Sequence, residues 1–111
     1  LEAWQRAVEL VVLVYGLTET FPKSEMYGLM QQMRRAAVSV PSNIAEGAAR
    51  GGKREFAQFV VIARGSLSEL ETQLVIAERL EYVADSALVR EKMEKVFALL
   101  SGLLNSLRER A

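Results

Sequence analysis

The 111-residue chain contains no cysteine and no histidine, and each absence excludes a class of chemistry. Structural zinc sites draw on thiolates and imidazoles, so no zinc centre is expected. Neither a Cys nucleophile nor a His general base is available. A small domain built without a disulfide fits the cytoplasm, the expected location. Proline occurs only at positions 22 and 41. With Ala, Leu, Glu, Arg and Val abundant, that scarcity favours helix. The apolar run from Leu10 to Leu17 is shorter than the ~20 residues a membrane helix needs. No basic leader with a small-residue cleavage site precedes it, so it is not expected to be a signal peptide. Net charge is also missing: 14 basic and 14 acidic residues cancel. A neutral chain is a weak starting point for nonspecific nucleic-acid binding, which depends on neutralising phosphates.

What is present is ordinary globular composition, 50% hydrophobic and 25% charged. Residues 1–111 are expected to form a single domain. Four periodic runs predict four helices. The first spans about 2–18, with Trp4, Val8, Val11, Tyr15 and Thr18 on one stripe and Ala7, Leu10, Val14 and Leu17 beside it. Phe21 and Pro22 break it, because a residue before proline is pushed out of the helical region. Phe21 is placed to seal that end of the core, and Ser24 is the expected N-cap of the next helix. The second run, about 25–49, carries Met26, Met30, Met33, Ala37, Val40, Ile44 and Gly47 at alternating steps of four and three. That register continues through Pro41, which predicts a kinked helix, with a local loop as the alternative. The methionines read as core filling, or as a soft protein-binding groove.

Gly51, after Arg50, supplies a left-handed helix end. The third run, about 53–82, carries Phe56, Val60, Ala63, Leu67, Leu70, Leu74 and Ala77. Gly65 inside it costs up to about 1 kcal/mol unless it permits close packing. Asp85 is the expected cap of the last helix, which runs to about 108 with Val89, Met93, Val96, Leu100, Leu103 and Leu107 as its seam. Together these predict an all-α fold, an antiparallel up-down-up-down four-helix bundle with left-handed packing. Phe59, Ile62, Ile76, Leu99 and Leu104 are apolar surplus, which a wide core face or self-association would cover.

The stretch Arg34 to Gly47 departs furthest from simple helix formation. Ser39, Asn43 and Glu46 form a polar stripe on one helix face, and Ser66, Glu69 and Gln73 repeat it on the third helix. Arg64 and Glu71 add an opposite-charge pair. The set reads first as a packing network that fixes register, then as a ligand pocket, and last as a carboxylate metal site. The Glu-x-x-His repeats of di-iron bundles are absent. Basic residues cluster at 34, 35, 50, 53, 54 and 64, against acidic residues at 46 and 55 in the same span. Arg34, Arg35, Arg50, Lys53 and Arg54 read as solvated faces or as phosphate contacts. No aromatic interleaves with them in sequence to suggest single-strand stacking. No recognised catalytic spacing appears, so neither enzyme activity nor a cofactor is expected.

The motifs resemble a known family. They are Trp4-Gln5-x-Ala7, Thr18-x-x-Phe21-Pro22, Tyr27-Gly28-Leu29 with Gln32, Arg34-Arg35-Ala36, the long run Ser39 to Gly47, Arg64-Gly65-Ser66-Leu67, and Glu69-Leu70-Glu71. In these the chain resembles, over nearly its whole length, the small four-helix-bundle proteins encoded within intervening sequences of bacterial 23S ribosomal RNA genes. That family is similar to the accessory protein of diversity-generating retroelements, a strongly basic homopentameric barrel that works with a reverse transcriptase and RNA. The resemblance implies a four-helix bundle and a homo-oligomer, with five subunits suspected. It carries no established biochemical activity with it, and it leaves nucleic acid or another protein as possible partners, with no membrane role.

Overall fold

A computed structural model describes residues 1–109. It contains four helices: α1 (Glu2–Thr18), α2 (Leu29–Ala49), α3 (Lys53–Arg79) and α4 (Ala87–Arg108). A 3₁₀ turn at Lys23–Glu25 lies between α1 and α2. No strand occurs among the described residues, and no helix there is long and apolar enough to cross a membrane. Each helix packs on two neighbours, α1 on α2 and α4, and α3 on α2 and α4. The four surround one core, an arrangement compatible with a helical bundle.

The core follows the alternating steps, with an exchange in α1 and another late in α4, where Leu104 is buried and Leu103 and Leu107 only pack against the core. Met33, Ala37, Val40 and Ile44 of α2 are buried, as are Val60, Ala63, Leu67, Leu70, Leu74 and Ala77 of α3. In α1 the smaller stripe goes inside: Ala3, Ala7, Leu10 and Val14 are buried, whereas Trp4 and Tyr15 stay more than two-fifths exposed. Alanines at the contact let neighbouring helices approach closely, and the bulkier rings are left at the flank. Of the expected surplus, Leu104 belongs to the core and Leu99 packs against it, while Ile62 and Ile76 remain exposed.

Helix α2 begins at Leu29, later than the pattern suggested, and Ser24 is not its cap. The Glu25 carboxylate takes that role, accepting the Leu29 N–H at 2.9 Å. From there α2 runs unbroken through buried Pro41, so the loop alternative fails. Helix α3 stops at Arg79, not Tyr82. Glu81 adopts the left-handed region (φ 62°), and the Tyr82 N–H turns back to the Ala77 carbonyl at 2.9 Å. This is a Schellman ending, with Glu81 where glycine is usual. Ser86, not Asp85, is the N-cap of α4; Asp85, one residue earlier, accepts the Ala87 N–H at 3.0 Å.

Glycines mark two kinds of demand. Gly51 has φ 86°, which makes the left-handed exit from α2 inexpensive. A Cβ on Gly47 would lie 2.7 Å from Cβ of Phe59 and 3.3 Å from the Phe56 carbonyl, so only glycine permits the α2·α3 approach there. Gly65 has no atom within 4 Å of where its Cβ would be, so it serves no packing role within the chain.

Candidate functional site

The polar residues of α2 and α3 divide into separate groups. Ser39 and Ser66 share a hydrogen bond of 2.8 Å across the two helices. Asn43 donates its side-chain amide to the Ser39 carbonyl at 2.8 Å and to Ser39 Oγ at 2.9 Å. These three half-buried groups form a tie between helices, and Asn43 holds the Ser39 hydroxyl in place for its partner. Gln73 sits lower in the same seam, 6% exposed; its amide donates to Glu69 at 3.4 Å and its carbonyl oxygen has no partner. Glu46 is not part of the tie: it lies in solvent and pairs with Arg50 at 3.0 Å. Arg64 and Glu71 form no ion pair with each other or with any described residue.

The basic residues differ as sharply. Arg34 is held by α1: Nε donates to Thr18 Oγ1 at 2.9 Å, and Nη2 donates to the Tyr15 carbonyl at 3.2 Å and to Glu19 at 3.1 Å. Its guanidinium also lies over the Tyr15 ring, 4.4 Å from the centroid. A cation at the end of α1 meets carbonyls with no helical partner, so the attraction has a structural use. Arg50 answers Glu46 and Glu55 and covers the Phe59 ring. Arg35, Lys53 and Arg54 are exposed and enter no ion pair among the described residues.

Two further clusters, both near the short connections, depend on contacts that sequence spacing does not reveal. Besides capping α2, Glu25 accepts the Tyr82 hydroxyl at 2.9 Å. The Leu29 N–H and then the Tyr82 hydroxyl hold the Glu25 carboxyl below the usual carboxylate range, and Glu25 in turn raises the Tyr82 phenol. The Tyr82 ring packs 5.4 Å from Phe21, which is buried as the turn motif suggested. Glu78 receives Arg90 Nε at 2.9 Å and the Ser86 hydroxyl, which lower its pKa.

Three open grooves mark the surface of the described residues. One, of about 530 Å³, lies on α1 and α2 between Tyr15, Tyr27, Met30, Arg35 and Val38. Aromatics therefore do stand beside the basic residues in space, although not in sequence. Met26 and Met30 line this groove; Met26 is exposed, whereas Met30 also packs against the core. The second, of about 970 Å³, has an apolar floor of Val61, Ile62 and Leu107 edged by Lys53, Arg54 and Arg108. The third, of about 350 Å³, has Phe97 over Leu67 and Met93, with Glu71 and Glu94 beside it. No group of acidic side chains is arranged to hold a metal ion among the described residues.

The tie at Ser39, Asn43 and Ser66, the Thr18–Arg34 contact and Phe21 all fall within the motifs that carried the resemblance. The family described as 23S rRNA-intervening sequence protein matches residues 1–102. The chain belongs to that family. No curated protein matches it. The 23S rRNA-intervening sequence protein match covers α1, α2, α3 and most of α4, so it spans the hydrogen-bonded clusters described above but not Leu107 and Arg108 of the second groove.

Proposed function

We propose that this chain is a non-enzymatic, self-assembling helical scaffold in which an antiparallel up-down-up-down bundle with left-handed packing is the repeating unit. The helix directions are supported by contacts. Gly47 meets Phe56 and Phe59 while Ser39 meets Ser66, so numbers fall along α2 as they rise along α3. The alternating steps of three and four support the packing hand.

One observation carries the scaffold reading: large apolar side chains are exposed on two opposite faces. The α1/α2 face exposes Trp4, Tyr15 and Val38, and the α3/α4 face exposes Val61, Ile62 and Phe97. Between them the α2/α3 seam carries the polar Ser39–Ser66 tie, and Arg6 with Glu2 and Glu9 occupies the side of α1 away from Tyr15. Opposed sticky faces suit a heterologous contact, which repeats around an axis and closes a ring. The family resemblance suggests five subunits. Sedimentation velocity across the micromolar range tests this. A single species several times 12.4 kDa is expected, and a 12.4 kDa monomer throughout rejects it.

A second reading is favoured by the free cations Lys53, Arg54 and Arg108 around one groove. Copies of this end on one ring would present a repeated phosphate-binding surface, with Arg50 partly neutralised and Arg35 set apart. Filter binding to structured RNA and duplex DNA at two salt concentrations tests it. Binding that falls steeply with salt, and falls again in Lys53→Ala/Arg54→Ala, supports it. No binding to either at low salt by the assembled protein removes it.

A further inference from the structure

The grooves on the two apolar faces match in height and in charge. The Ser39–Ser66 hydrogen bond sets the level of α2 against α3. Arg35 and Val38 therefore stand level with the turn of α3 from Leu67 to Glu71. The Glu78–Arg90 pair sets α3 against α4 in the same way, which brings Glu71 level with Phe97. The Tyr15–Tyr27–Val38 groove and the Phe97 groove thus occupy the same height on opposite sides of the bundle.

Their charges are opposite. Arg35 edges the first groove without an ion pair, and the neighbouring Arg34 is already engaged by α1. Glu71 and Glu94 edge the second. Arg90 feels both carboxylates but is bound to a third, Glu78, which leaves this side with acidic excess. Arg64 lines neither groove. The shapes also suit each other: Phe97, 41% exposed, faces outward, and the opposite groove is walled by two tyrosines and two methionines. A ring in an aromatic and thioether pocket is a favourable contact.

We propose that the occupant of the α1/α2 groove is a second copy of this chain: its Phe97 seats between Tyr15, Tyr27 and Val38, and its Glu71 and Glu94 face Arg35. This rests on the self-assembly reading and specifies which surfaces meet. Unlike faces join, so each copy uses both, and the contact propagates around the assembly. The charges select the register and disfavour like-face pairing.

Charge reversal tests it, read by light scattering after size exclusion on four proteins: wild type, Arg35→Glu, Glu71→Arg/Glu94→Arg, and all three changes together. All three positions are exposed, and circular dichroism verifies that helix content is retained. The first two variants are expected to dissociate about tenfold or more readily than wild type, and the combined protein to regain the wild-type mass. An assembled wild type whose mass is indifferent to both reversals, or a combined variant no better than either, overturns the assignment while leaving self-assembly standing. A monomeric wild type overturns both. An unchanged mass with RNA binding lost in Arg35→Glu makes the groove a nucleic-acid site instead.

Discussion

The two ends of the bundle are secured in different ways. At the end with two connections, α1 to α2 and α3 to α4, charged side chains are bonded into the frame. Arg34 closes α1, Glu25 caps α2 and reaches Tyr82 across 57 positions of sequence, and Glu78 gathers Ser86 and Arg90. At the other end one connection, Gly51-Gly52, joins neighbouring helices. There the left-handed glycine does the turning, Gly47 allows close approach, and Lys53 and Arg54 remain uncommitted. Two separate connections are held together by bonded side chains, whereas at the tight link backbone geometry does the turning and Arg50 adds ion pairs to Glu46 and Glu55. Charge left over at the second end is free for external contacts.

Substitutions can sharpen that contrast. The largest effect is expected at Gly47→Val, which forces side-chain atoms into Phe59 and the Phe56 backbone; urea unfolding should show a loss of about 1–3 kcal/mol. At the other end, Arg34→Ala removes the bonds to Thr18 and the Tyr15 carbonyl and should cost about 1–2 kcal/mol by the same measurement. Arg54→Ala, an exposed cation without an ion pair, should stay within about 0.5 kcal/mol. Equal losses for the two arginines would erase the distinction between the ends.

Acid provides a gentler probe. Glu25 and Glu78 have folded pKa values below their ordinary range. Their contribution is therefore fully present above the unfolded carboxylate pKa of about 4.3 and is lost as pH falls through the folded values. Thermal midpoints should drop between about pH 5 and pH 3, and less steeply in Glu25→Gln/Glu78→Gln than in wild type. The same slope in both proteins would mean that other carboxylates govern acid sensitivity.

Much of the fold was legible because burial imposes a period on the chain. Met33, Ala37, Val40, Ile44 and Gly47 announced the inner face of α2. In α1 two adjacent stripes were both apolar, and periodicity alone did not tell that the alanine side goes inward. The start of α2 was hidden because its cap is Glu25, a residue that also suits a first helical turn. Spacing placed Ser39 and Asn43 on one face, and the structure adds their partner Ser66. It does not bring Glu46, Arg64 or Glu71 into that tie, since their side chains point to other seams or to solvent. Arg34 read as one of several free cations because its partners, Thr18 and Glu19, lie on another helix and the turn beyond it.

The central claim is that unlike faces of two copies meet, and cross-linking tests it most directly. The chain has no cysteine, so engineered thiols report without background. Val38 and Phe97 lie on opposite faces, too far apart to join within one copy. Under mild oxidation Val38→Cys/Phe97→Cys should give a ladder of covalent multimers on a denaturing gel, whereas Val38→Cys or Phe97→Cys alone should stay monomeric. A ladder is the predicted result. Dimers from either single variant, or no cross-link from the double variant in an assembled protein, would contradict it.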